Sequence, residues 1–209
     1  MLHSMIMAAH QGRLRWGRRP VPNGQVLYSS AGTHQWVCPP DVTRVSVVLV
    51  GAGGAGNRAR SETGTGGNVR FINDIPVVPG QTYAIVLPSV NNGSRLAINT
   101  TSAFGYTASS PLGGVVMGGD GTSGLTGQYS ELVSGGNVGY IPAGRASQGI
   151  DLKTFAATGP TGTFSRNGGR FGGGGGFWQG RSDGDGGPAG VRIIWGENRA
   201  FPNLNIGDL

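Results

Sequence analysis

The chain has 209 residues, enough for one ordinary domain with a modest core, and carries a net charge of +6. Glycine supplies 42 residues, about three times its usual share, while charged residues make up 12%, roughly half theirs. Low charge with recurring Val/Ile/Thr runs argues against a disordered chain, and 12 prolines with no sustained Gly-X-Y period exclude collagen.

The first 24 residues read as an extended basic arm. Arg13, Arg15, Arg18 and Arg19 supply four of the six net charges, and Pro20 and Pro22 favour an extended path. The apolar stretch Met1–His10 precedes those charges, opposite to the order of a secretion signal. Strands are expected at 25–29 and 33–37, then at Arg44–Val50, a β-branched run bounded by Pro39-Pro40 and Gly51. Residues 68–75 alternate in part, which places Val69, Phe71 and Ile75 on one face. Thr82–Leu87 is another strand, closed by Pro88 and the turn signal Asn91-Asn92-Gly93. Shorter candidates are 96–99, 115–117, 128–133 and 138–141, and residues 151–157 could make one helical turn. Gly190–Trp195 is the last strong strand. No apolar run approaches a membrane span in length.

Between these strands lie glycine stretches at 51–56, 64–67, 113–121 and 168–190. No twelve-residue window carries an apolar stripe of helical period, so the expected class is all-β. Long glycine connections are compatible with a compact domain only if they are themselves ordered. Polyproline II geometry, three residues per turn with a ~3.1 Å rise, would let bare backbones pack laterally; flexible loops are the alternative. The expected architecture is a β-sandwich-like core with glycine-rich layers and extended termini. It divides into an arm (1–24), a glycine-rich β domain (25–195) and a carboxyl tail (196–209).

One motif looks like chemistry. Gly51-Ala52-Gly53-Gly54-Ala55-Gly56 follows a strand and satisfies G-x-G-x-x-G. A dinucleotide site needs a helix next, whose N-terminus meets the pyrophosphate. Residues 57–67 instead contain no Leu, Ile, Val or Phe and end in more glycine, which argues against a nucleotide. His3 and His10 lie in the arm, and His34, beside Trp36 in a strand, suits a structural role. No Walker A, H-E-x-x-H or G-x-S-x-G pattern occurs, so no catalytic residue and no cofactor are expected. Asp120 and the Asp183-Gly184-Asp185 turn resemble calcium-binding turns, but such carboxylates more often bond their own backbone, and no metal ligand is assigned. Cys38 stands alone, which removes an intrachain disulfide.

Two binding features remain. Arg170, Phe171, Phe177, Trp178 and Arg181, interleaved with glycine, form a candidate recognition loop for a sugar or a protein; the alternative is that the aromatics cover the glycine layer. Arg13, Arg15, Arg18 and Arg19 form a candidate assembly arm, suited to an acidic partner or to nucleic acid. Lys153 is the only lysine, and arginine's planar donors suit packing among neighbours.

The order of elements also carries a resemblance. It runs from Thr33–Val37 through Pro39-Pro40, the strand to Val50 and the glycine block to Val78-Pro79-Gly80-Gln81-Thr82-Tyr83 and Ser102-Ala103-Phe104-Gly105. It continues with Gly118-Gly119-Asp120-Gly121 and closes on Gly187-Pro188-Ala189-Gly190 and Val191–Trp195. Over about residues 32–195 this resembles the glycine-rich domain of bacteriophage tail-fibre and virion proteins. The end from Val191 through Arg199-Ala200-Phe201-Pro202-Asn203 is similar to the carboxyl end of cyanophage structural proteins. A more distant likeness is to the distal adhesins of T-even-like phages, from which this chain departs in its early strands and basic arm. The resemblance implies a non-enzymatic exterior component of a virion, homo-oligomeric and often trimeric, contributing to host attachment from a tail or fibre. A capsid decoration or joint protein, and a Gly/Arg-rich nucleic-acid binder, stay open as alternatives.

Overall fold

Each long β-branched run of the sequence becomes a strand. A computed structural model of the protein describes residues 20–56, 64, 66–89, 100–109, 120–121, 132–134, 139–140, 149–152, 157–158, 167–176 and 184–201. The strands are β1 (Gly24–Tyr28), β2 (Gly32–Val37), β3 (Arg44–Val50), β4 (Asn68–Pro76), β5 (Thr82–Leu87), β6 (Thr100–Ala103) and β7 (Tyr106–Ser109). They continue with the short β8 (Asp120–Gly121), β9 (Leu132–Ser134), β10 (Gly139–Tyr140), β11 (Gly149–Ile150) and β12 (Ala157–Thr158), and end with β13 (Gly190–Trp195). None of the described residues is helical, and the fold is all-β. Ala157, expected in a helical turn, instead pairs with Ile150 in the β11–β12 ladder.

A five-stranded antiparallel sheet, ordered β1-β13-β3-β4-β9, lies against a four-stranded one, ordered β2-β5-β6-β7, with two small two-stranded ladders besides. Val45, Val47, Leu49, Val191 and Ile193 of the larger sheet meet Trp36, Ile85, Leu87, Ala103 and Ala108 of the smaller in one core. Its opposite face is covered too. Val48, Val50, Val69, Phe71 and Ile194 pack beneath Leu152, Phe171 and Phe201. This two-sided burial explains why β3 and β13 read as continuous apolar runs rather than alternating ones. Arg192 breaks the β13 run, yet it is 1% exposed. Its guanidinium donates to the Gln25 side chain and to the Leu152 carbonyl, which supply the acceptors a buried cation requires.

β4 departs from the simple alternation. Val45 pairs with Ile75 but Val47 pairs with Ile72, so β4 carries one extra residue. Asp74 sits at φ 62, in the left-handed region, where this bulge reverses the phase of the strand. Val69 and Phe71 therefore face the outer cluster, while Ile75 turns into the sandwich core, on the opposite face from that expected. Asn73 fills the phase left by the bulge. Its side-chain amide donates to the Phe201 carbonyl at 2.6 Å, and its oxygen accepts the Phe201 N–H at 2.8 Å. Residues 196–201 thus pack onto the domain instead of leaving it as a tail.

Candidate functional site

The glycine stretches of the described residues are ordered, and they assemble into a layer that prolongs β3 and precedes β13. Gly53 and Gly56 donate their N–H groups to the carbonyls of Gly187 and Gly184, at 2.9 and 3.0 Å. Gly64 and Gly67 donate to Gly175 and Gly172; Gly184 and Gly187 donate to Gly176 and Gly173. Donors and acceptors both advance by three residues, the repeat of polyproline II rather than the two-residue repeat of a β-ladder. Each of these pairings is antiparallel, because one index rises as the other falls.

Close approach is what demands glycine here. A Cβ added to Gly53 would lie closer than 3.0 Å to the Gly173 carbonyl, and one on Gly56 would meet Gly176 in the same way. Those two contacts advance together, so segments 51–56 and 172–176 run parallel. Ala52 and Ala55, also three apart, use the remaining face of the first segment and are buried. The amides of the G-x-G-x-x-G stretch are thereby engaged: those of Gly53 and Gly56 donate to backbone carbonyls and are not presented to a phosphate.

The parallel run has a topological consequence. Gly56, Gly64, Gly176 and Gly184 gather at one end of the layer, tied by Gly56 N–H to Gly184 O, Gly184 N–H to Gly176 O at 2.8 Å, and Gly64 N–H to Gly175 O at 2.6 Å. Segments 57–63 and 177–183 both leave from and rejoin this end.

The candidate recognition residues do not share one environment. Arg170 is exposed, with its guanidinium 4.7 Å above the Phe171 ring. Phe171 is 4% exposed and packs in the outer cluster against Gly190, where an added Cβ would collide with its ring. It is a covering residue for the sheet and leaves the recognition set; its apolar ring gains more from this burial than a loop tip could offer. Phe177, Trp178 and Arg181 lie outside the described residues, as do Arg13, Arg15, Arg18 and Arg19 of the arm. His34 is engaged locally, with Nε2 2.7 Å from the Ser30 carbonyl and its ring 5.1 Å from that of Tyr28. Among the described residues no group of three or more His, Cys, Asp or Glu side chains is arranged to hold a metal.

No protein-family model matches the chain, and a search of curated proteins finds no relative. The motifs behind the resemblance have local physical roles. Val78-Pro79-Gly80-Gln81 is a tight turn closed by Gln81 N–H to Val78 O at 3.0 Å, with Gly80 at φ 79, the arrangement of a type II turn with proline second and glycine third. The Tyr83 hydroxyl accepts the Val78 N–H at 2.9 Å and locks the corner. Among the described residues no helix is long and apolar enough to cross a membrane.

Two features escaped the sequence reading. Thr100–Ala103 and Tyr106–Ser109 form a hairpin about Phe104 and Gly105, at φ 52 and 78, the two positive values a type I′ turn requires. Its turn delivers Phe104 to an aromatic group: the ring lies 5.1 Å from Tyr83 and 5.6 Å from Trp36, which in turn is 5.8 Å from Trp195. A shallow groove of about 380 Å³ opens beside it, lined by Pro76, Tyr83, Ala84 and Phe104. A second, about 470 Å³ and more polar, is lined by Arg44, Ser46, Asn73, Asp74 and Arg199.

Proposed function

We propose that this chain is a non-enzymatic structural protein of a bacteriophage particle, a tail or tail-fibre component that contributes to host attachment and resides in the virion. The observation that carries the reading is the glycine layer with its gathered ends. A layer of backbones without side chains cannot adapt or carry chemistry of its own, but it holds loop ends rigidly, and rigid presentation reduces the entropy cost of recognition. Residues 57–63, which include Arg58 and Arg60, and 177–183, which include Phe177, Trp178 and Arg181, are flanked by glycines joined at the same end of that support. Phe177, Trp178 and Arg181 of the second suit a host-surface sugar or protein. The resemblance in element order supports the same assignment.

Gold-labelled antibody against the chain, viewed on intact particles by electron microscopy, tests this directly. Label on the tail at a handful of copies, together with antibody inhibition of adsorption, is the expected result. Label over the shell at hundreds of copies would replace it with the capsid-decoration reading. DNA binding that falls steeply with added salt would favour the Gly/Arg nucleic-acid reading instead.

A further inference from the structure

The polar groove of about 470 Å³ falls within the size range of small-ligand sites and is lined entirely by described residues. Ser46 and Ile194, buried and paired across β3 and β13, form its floor. The β4 bulge supplies one wall through Asn73 and Asp74, and the turn after β13 supplies the other through Asn198 and Arg199. Both walls are held in place. Asn73 grips the Phe201 backbone, the Ser46 hydroxyl donates to the Arg199 carbonyl at 3.3 Å, and Arg199 Nη1 donates to the Gly24 carbonyl at 3.0 Å. A groove fixed in advance loses little entropy on binding. Asp74 and Asn198 sit at φ 62 and 58, a conformation that costs energy outside glycine and recurs where ligands are clamped.

The polar groups left over in the groove are complementary in kind. Arg44 Nη1 donates to the Asp74 carboxylate at 2.6 Å and to the Asp74 carbonyl at 3.2 Å. Among the described residues nothing else engages that guanidinium, so its Nε–H and Nη2–H donors are unused on a side chain 60% exposed. The second Asp74 carboxylate oxygen is unused too, on a side chain 68% exposed, and the exposed Asn198 carboxamide has no hydrogen-bond partner among the described residues. The groove thus offers a planar donor fork, an acceptor-only oxygen and an amide that does both. Its lining holds two arginines and one aspartate, a surplus of one positive charge, which selects a ligand with one negative charge. Phosphate or sulfate suits the fork but brings no donor for Asp74 and is repelled by it. A neutral sugar suits Asp74 and leaves the surplus charge unmet. A sugar with a carboxylate satisfies both, because its acid meets the fork bidentately while its hydroxyls donate and accept.

We infer that this groove binds a sugar residue bearing a carboxylate, with the Arg44 guanidinium on the acid and with Asp74 and Asn198 on the hydroxyls. The site stands at the start of β3, whereas the glycine layer follows the end of that seven-residue strand, roughly 20 Å away. It is therefore separate from the candidate recognition loop and does not depend on the virion assignment.

NMR titration of the isotope-labelled full chain with digalacturonate and with N-acetylneuraminate tests it. At least one of these acid sugars should shift the Asp74 and Asn198 amide signals saturably, while the neutral disaccharide lactose should not. Inorganic sulfate should bind roughly tenfold more weakly than that acid sugar. Arg44→Ala should raise the Kd of the acid sugar roughly tenfold, and Arg44→Lys, which keeps the charge without the fork, should stay weaker than wild type. Asp74→Asn retains a residue that tolerates positive φ. It should weaken the acid sugar yet tighten sulfate, because the repelling charge is gone. Failure of both acid sugars to bind, equal binding of lactose or sulfate, an Arg44→Ala variant of unchanged affinity, or an Asp74→Asn variant that binds the acid sugar more tightly would overturn the proposal.

Discussion

Gly53→Ala isolates the physics of the glycine layer in a single methyl group. The added Cβ would lie closer than 3.0 Å to the Gly173 carbonyl, where ordinary contact begins at 3.4 Å. That carbonyl accepts the Gly187 N–H, while Gly53 itself donates to the Gly187 carbonyl, so any retreat disturbs two buried hydrogen bonds. Overpacking a close-packed interior costs about 1–3 kcal/mol, and leaving a buried amide unpaired adds about 1–3 kcal/mol. Stiffening of the unfolded chain offsets about 0.4–1 kcal/mol of this. The expected net loss is about 3 kcal/mol, read as a lower urea midpoint and a Tm lowered by roughly 6–12 °C for a domain of this size. Gly80→Ala is the matched control. Its position has φ 79 and nothing within 4 Å of the added Cβ, so it should lose only the left-handed strain, about 1–2 kcal/mol. If Gly53→Ala proves no more costly than Gly80→Ala, the layer is not packed as described.

Other substitutions separate covering roles from presenting ones. Phe171→Ala should cost about 3–5 kcal/mol in chemical denaturation, because it empties a buried site under the larger sheet; a residue acting only in recognition would leave stability unchanged. Gln25→Leu should lower stability by about 2–3 kcal/mol by removing an acceptor from the buried Arg192 guanidinium, whereas Arg44→Ala, which breaks an exposed ion pair to Asp74, should fall within about 1 kcal/mol of wild type. Burial pushes the Cys38 thiol and the Tyr28 hydroxyl above their ordinary values, so the folded state holds those protons more tightly than the unfolded one. That contribution is fully present below the unfolded values and declines as pH rises past about 9, so the urea midpoint should be flat through neutrality and fall in alkali. A thiol reagent should accordingly label Cys38, whose Sγ–H donates to the Val42 carbonyl at 3.2 Å, far more slowly in native than in unfolded protein.

The legible parts of the fold were those where side chains carry a pattern. Arg44–Val50, Thr82–Leu87 and Gly190–Trp195 could be bounded to the residue because β-branched runs stop at Pro or Gly. The Phe104–Gly105 hairpin could not, because a bulky residue at positive φ contradicts local preference and only the tertiary aromatic cluster offsets it. Ile75 was assigned to the wrong face because the bulge at Asp74 adds a residue that alternation cannot register. Phe171 was placed in the candidate recognition loop, although it is buried, because an aromatic residue among glycines has no periodicity to show which way it points. The layer itself left a trace in the spacing of Gly53 and Gly56, Gly64 and Gly67, Gly172 and Gly175, and Gly184 and Gly187 by three. Neighbouring glycines in the same stretches conceal it, since a residue without a side chain marks no face.

Amide hydrogen exchange, resolved to single residues, reaches the layer without any substitution. The amides of Gly53, Gly56, Gly172, Gly175, Gly184 and Gly187 should be protected to a degree comparable with those of β3 and β13, because they are buried and bonded to carbonyls of neighbouring segments. Exchange of those six amides at the rate of an open chain, with β3 and β13 still protected, would mean that the glycines merely link a sandwich and support nothing.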